Sequence, residues 1–193
     1  MGWQKVMLRK KHDLHQRVRN FVLPLYEGRD EMHGIHHVER VASKALKLDE
    51  SSACSKDVIV VAAYLHGVIA SHELEIRVFL RTLPLSEDIM ELILKAAWES
   101  GKESHPATRE GVLLHDAHLL EGGRAFGVAK CLVTGTSRGQ TLEETLNHIE
   151  NNLLGKFRCL TPSAQALYEE KEEFLRGFVE ELREGLSSNL DQD

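Results

Sequence analysis

The sequence predicts an all-α protein, a single-domain helical bundle, and three observations carry that expectation. Apolar residues recur at spacings of three and four along most of the chain, as in Val18, Phe21, Val22 and Leu25, which is the period of one helix face. No strand-length stretch alternates apolar with polar residues, and β-branched residues are scattered. No Asn-Gly or Asp-Gly pair offers a hairpin turn.

The elements follow in order. A first helix is expected over Gln4–Tyr26, bent or ended near Pro24, and a Gly-and-charge break at Glu27–Asp30 precedes a second over Gly34–Leu48. Ser-rich punctuation at Glu50–Ser55 leads into Lys56–His66, whose VIVVAAYLH run is apolar nearly all round. Such a helix belongs at the centre of a bundle. Gly67 ends that pattern, and Ser71–Leu83 reads as a helix closed by Pro84. Ser86, with Glu87 and Asp88 after it, caps a helix to about Trp98. The polar stretch Glu99–Thr108 suits a mobile loop. Helices are expected next over Gly111–Leu120 and, past Gly122-Gly123, over Arg124–Val133. Thr141 and Glu144 match a capping box that opens a helix to about Phe157. The last helix starts at Thr161-Pro162-Ser163 and carries Leu167, Phe174, Leu175, Phe178, Leu182 and Leu186 on one face, which suits the core or a homodimer seam equally. One domain over residues 1–186 and a polar tail over 187–193 are therefore expected.

Composition narrows the function classes. The chain has 193 residues, 42% hydrophobic and 28% charged, with a net charge of -6, which excludes collagen, a disulfide scaffold and a disordered chain. No apolar run reaches the roughly 18 residues of a membrane span, and the basic start lacks the apolar core of a secretory signal. Cys54, Cys131 and Cys159 are odd in number and widely spaced, as befits thiols in a reducing compartment. A soluble cytoplasmic protein without membrane partners is expected. The acidic balance opposes a broad nucleic-acid surface, although Arg9-Lys10-Lys11, Arg17 and Arg19 form a local basic run.

The unusual number is 11 His. Three places put a polar side chain where an apolar one is expected. His33, His37 and Arg40 lie at i, i+4 and i+7 beside Val41, so two imidazoles and a guanidinium share one helix face. An exposed, His-rich helix start would look the same. His66 closes the most apolar helix, where it is either a hydrogen-bonded core residue or a metal ligand. Asp116, among Val112, Leu119 and Leu120, points at the apolar side, and a buried carboxylate needs a cation, a donor cluster or a metal. Arg40 and Arg77 are its salt-bridge alternatives, and the flanking His115 and His118 face either way. If the three helices converge, two imidazoles and a carboxylate make a first-row metal site with open positions, and such an ion supplies what phosphoester hydrolysis needs.

The order of these residues resembles the HD-domain phosphohydrolase superfamily, whose metal motif is a His, a His-Asp doublet and a distant Asp. His33–Val41, Ala62–Gly67 and Leu114–Ala117 carry the likeness, which is closest to the small HD hydrolases and runs over residues 10–186. The resemblance implies metal ligands at His37, His66 and Asp116, with His33 and Arg40 contacting substrate phosphate. It also implies a divalent ion (Mn, Ni, Zn, Co or Mg) that activates water against a small phosphate ester or nucleotide. Several positions depart from the pattern. Gly67 replaces the doublet's Asp, Gly34 the Asp after the first His, and His118 the second Asp of Asp-Ala-Asp; the later His near Ala97–Ser100 is absent, with His105 nearby. Loss of the doublet carboxylate disfavours a two-ion centre and shifts preference from Mn²⁺ or Mg²⁺ toward imidazole-seeking ions. Gly67→Asp is expected to raise Mn²⁺ affinity. His72 and Glu73 are candidate replacement ligands or a solvated helix start. Two readings stand: a metal-dependent phosphohydrolase, and an impaired HD-fold protein that binds a ligand or partner without hydrolysis.

Overall fold

Apolar periodicity of 3.6 residues, broken by Gly, Pro and Ser, dictates helices joined by short loops, and helices are what form. The structure, a computed structural model, describes residues 13–187; the basic run Arg9-Lys10-Lys11 and the start of the first expected helix lie outside them. Among the described residues all regular structure is helical. The elements are α1 (described over 13–22), a 3₁₀ turn Leu23–Tyr26, α2 (Ile35–Leu48), α3 (Lys56–His66), α4 (Ile69–Leu80), α5 (Glu87–Glu99), α6 (Arg109–Leu120), α7 (Gly123–Ser137), α8 (Leu142–Asn152) and α9 (Pro162–Ser187). No helix among them is long and apolar enough to cross a membrane.

The chain forms two compact units, one ending at His118 and the other beginning at Leu119. In the first, α3 is the central helix, packed between α2 and α5. The Ser55 hydroxyl caps it by accepting from the Val58 N–H, and Val58, Ile59, Val61, Ala62, Ala63 and Leu65 are buried almost completely. Each of the Val, Ile and Leu side chains contributes roughly 1.5–3 kcal/mol on burial. Pro24 turns the end of α1 into a 3₁₀ turn, because its ring lacks the N–H that an α-helix would use. That turn buries Tyr26. α4 begins two residues earlier than the sequence suggests and is interrupted at His72, whose φ of -132° and ψ of 24° are not helical.

The segment between α5 and α6 is tied down rather than loose. The Glu99 carboxylate accepts from the Thr108 N–H at 3.0 Å and from the Thr108 hydroxyl. The same hydroxyl accepts from the Gly111 N–H at 3.0 Å and so caps α6. Burial alone would push the Glu99 carboxyl upward, but the hydrogen bonds from Thr108 and Ala107 and the nearby Lys95 hold it below the usual range.

In the second unit α7 packs on α8 and α9 around Leu146, Ile149 and Val179. Gly135 permits the close approach of α7 to α8, since a Cβ there would lie within about 2.8 Å of Thr145 side-chain atoms. α8 stops at Asn152, five residues before the expected end, and Gly155 follows in the left-handed region at φ 71°. On α9 the expected apolar face divides: Leu175, Phe178 and Leu182 pack on the core, while Leu167, Phe174 and Leu186 are exposed.

Candidate metal centre

Three helices of the first unit deliver one imidazole each. Gly34, whose backbone is extended, stands just before α2, so His37 sits in the first turn. The preceding Asp30 organises the entry: its carboxylate accepts from the Met32 N–H at 2.9 Å and holds His33 Nδ1 at 2.8 Å. His66 closes α3, and its Nδ1 lies 2.6 Å from the Ala63 carbonyl oxygen. His118 stands near the end of α6, with Nδ1 3.1 Å from the Ser100 carbonyl oxygen. A carbonyl only accepts, so both Nδ1 atoms carry protons, and in the neutral ring each Nε2 presents a lone pair.

One ring nitrogen each of His37, His66 and His118 lies within 4.8 Å of the other two, and the Nε2 atoms of His37 and His66 are 3.1 Å apart. His37 is buried, the other two half-buried. Burial lowers the His118 pKa well below the ordinary imidazole range; His66, Lys102 and His37 lower it further, against the Ser100 hydrogen bond. A neutral imidazole with its far nitrogen hydrogen-bonded to the backbone is the form that binds metal, because the outer bond fixes the ring's proton and direction. The donor chemistry therefore fits a divalent ion with a preference for nitrogen.

The remaining expected site residues fall around this cluster. Asp116 is fully buried, with Oδ1 3.1 Å from His115 Nδ1; it does not belong to the convergent group, whose member from α6 is His118. Positions two apart are turned about 200° around a helix, so the Cβ atoms of residues 116 and 118 leave α6 on different sides. The His33 ring lies 6.0 Å from that of His37, at the edge of the cluster. Arg40 is half-buried on α2. His72 lies 3.3 Å from Glu75, and Glu73 binds Arg77 at 2.8 Å, so both have partners of their own along α4. Trp98 and His105 are exposed.

The direction in which a doublet carboxylate would project from residue 67 is already filled. A Cβ on Gly67 would lie 2.7 Å from Tyr26 Oη and 3.2 Å from Arg29 Nη1. Tyr26 Oη donates to the Tyr64 carbonyl and accepts from the Gly67 N–H, both at 3.2 Å. The Arg29 guanidinium donates to the Gly67 carbonyl at 2.7 Å and lies over the Tyr26 ring. An Asp at 67 thus meets a packed tyrosine and a cation before any metal, which limits the manganese gain expected from Gly67→Asp alone. Nothing in the sequence pattern marked Tyr26 or Arg29, since both lie outside the helices that carry the motifs.

No protein-family model matches the chain, and no curated protein does. Solved structures do match. A Bacillus thuringiensis HD-superfamily hydrolase superposes with a TM-score of 0.72 over 93% of this chain and 100% of its own, at 23% identity. The chain has the HD-domain fold. Bacillus subtilis YpgQ, in its complex with ADP, matches with a TM-score of 0.72, 22% identity, 92% of this chain and 100% of that one. A Lactobacillus plantarum protein matches with a TM-score of 0.76, 19% identity, 92% and 98%. HD-domain architecture accounts for why the ends of α3 and α6 and the start of α2 meet at one place. Function depends on the side chains placed there.

Proposed function

We propose that this chain is a metal-dependent phosphohydrolase acting on a small phosphate ester, with nucleotides as the substrate class. The observation that carries the reading is the meeting of three imidazoles, two with their tautomers fixed by backbone carbonyls, in an HD-domain fold. The ADP bound by YpgQ supports the substrate class. His37 and His66 hold the ion. Asp116 by motif order and His118 by convergence compete for the third position, and the convergence favours His118. When bound, a divalent ion supplies Lewis acidity and an activated water. His33, oriented by Asp30, and Arg40 bind and position the phosphate; His33 also lies close enough to the cluster to hold a proton near the reacting group.

A second reading, ligand binding without hydrolysis, is favoured by the occupation of the doublet carboxylate's place by Tyr26 and Arg29. One experiment separates the two. Phosphate release is followed from a panel of nucleoside mono-, di- and triphosphates, with Zn²⁺, Co²⁺, Ni²⁺ or Mn²⁺ added, for the wild type and His66→Ala. Release lost in the variant supports the hydrolase. Saturable ADP binding without release under any ion establishes the second reading instead.

A further inference from the structure

We infer that His37, His66 and His118 form a single-ion centre for a nitrogen-preferring divalent cation of the zinc class, in which an imidazole from α6 stands in for the carboxylate ligand and Mn²⁺ and Mg²⁺ are discriminated against. The inference rests on the cluster being the metal site of the proposed hydrolase, and it adds which ion that site selects and by which ligands.

The ring geometry carries the argument. The three ring centroids are 5.1, 5.2 and 5.2 Å apart, and the ring planes are inclined to one another by 63°, 57° and 62°. This is a nearly threefold propeller. A tetrahedral ion with metal–nitrogen bonds of about 2.05 Å, plus about 1.1 Å from nitrogen to ring centre, sets ligand rings about 5.2 Å apart. Three edges of the triangle meet that spacing. The tautomers agree with it, because the Nδ1 protons of His66 and His118 are committed to Ala63 and Ser100. In the neutral rings the inward nitrogens carry lone pairs; that of His66 lies 3.1 Å from His37 Nε2, a contact that a cation at the centre would replace.

Selectivity follows from the donor set. Mg²⁺ and Mn²⁺ favour carboxylate, carbonyl and water oxygens, whereas imidazole suits zinc, nickel and cobalt. The convergent group contains no carboxylate. At Gly67, where one would enter, the space holds the Tyr26 hydroxyl and the Arg29 guanidinium. The exposed Arg29 guanidinium, which donates to the Gly67 carbonyl, adds a positive charge next to residue 67 that disfavours a second ion there.

The test is metal binding, read without reference to turnover. Untagged protein, stripped with chelator, is titrated with Co²⁺, whose visible absorption becomes strong in tetrahedral sites. Zn²⁺ then displaces it, and Mn²⁺ uptake is followed by electron paramagnetic resonance. The expected result is about one equivalent of Co²⁺ with the tetrahedral spectrum, displaced by about one equivalent of Zn²⁺, and Mn²⁺ weaker by at least tenfold. His118→Ala removes the spectrum, and His118→Asp narrows the Zn²⁺ over Mn²⁺ preference by tenfold or more. Equal or tighter Mn²⁺ binding, two equivalents of ion, or a Co²⁺ spectrum unchanged in His118→Ala overturns the inference while leaving a metal-dependent hydrolase standing. A zinc centre as described, with no phosphate released from any ester, overturns the hydrolase and leaves this inference intact. Should the variants fail to fold by circular dichroism, the wild-type stoichiometry and ion order decide alone.

Discussion

Adding one methyl group at residue 67 tests whether Tyr26 holds the place of the missing carboxylate. Gly67 has φ -81° and ψ -11°, an ordinary right-handed conformation, so alanine there carries no backbone strain. By itself the change would stabilise by roughly 0.4–1 kcal/mol through the unfolded chain. The Cβ, however, arrives 2.7 Å from Tyr26 Oη and 3.1 Å from its ring. Arg29 can swing out; Tyr26, only 4% exposed and bonded to Tyr64 and to Gly67 itself, cannot do so cheaply. Overpacking of this kind costs roughly 1–3 kcal/mol. Gly67→Ala should therefore lose about 1–2 kcal/mol net, or roughly 2–8 °C of melting temperature for a chain of this size. In a Tyr26→Phe background the hydroxyl is gone and the 2.7 Å contact vanishes with it, leaving the 3.1 Å approach to the ring, so the same change should cost much less. Urea unfolding of the four proteins closes the cycle, with an expected coupling of about 1–2 kcal/mol. A stable Gly67→Ala, or an equal cost in both backgrounds, would refute the assignment of that space to the tyrosine hydroxyl.

Three further outcomes follow from the same contacts. Burial raises the Tyr26 phenol from 10.0 to about 12; the unfolded chain ionises first, so stability holds below pH 10 and falls as pH rises to about 12. That loss is roughly 2.7 kcal/mol for two pH units, and Tyr26→Phe should flatten the alkaline limb of a pH–stability curve by that amount. Glu99, held below the usual carboxyl range, contributes stability above its unfolded value that disappears as pH falls through its lowered one; Glu99→Gln should weaken the protein at neutral pH and flatten the acid limb in urea titrations. The capping box at Thr141 and Glu144 is complete, so Thr141→Ala should cost about 1 kcal/mol, read as a lower urea midpoint; no change would mean that α8 is held by packing alone.

Much of the fold was legible because local rules and tertiary demands agree. The central place of α3 followed from an apolar run with no polar face, and the caps at Ser86 and Thr141 followed from residue type and spacing. The ends of α4 and α8 were misplaced, since neither the break at His72 nor the turn at Gly155 has a strong local signal. At the centre, His37 and His66 stood out as polar residues in apolar company. Periodicity alone could not choose between Asp116 and His118, because α6 is apolar or amphipathic on both sides and either could be the inward one. Nor could it find Tyr26 and Arg29, which reach residue 67 from about 40 positions away through a turn whose path only the folded chain fixes.

The carbonyls that orient two of the histidines near the centre belong to the non-helical stretch between α5 and α6. Ser100 holds His118, and Lys102, through its carbonyl 3.3 Å from Nε2, holds His115. Ordering that stretch and fixing the imidazole are thus one event counted in two places. Whatever loosens it, such as loss of the Glu99–Thr108 clasp, lowers affinity for anything bound at the three rings, and by reciprocity an occupant there tightens the stretch by the same free energy. The crossing between two helices therefore acts as a thermodynamic reporter: its hydrogen-exchange protection should rise and fall with occupancy, although no atom of it forms part of the convergent group.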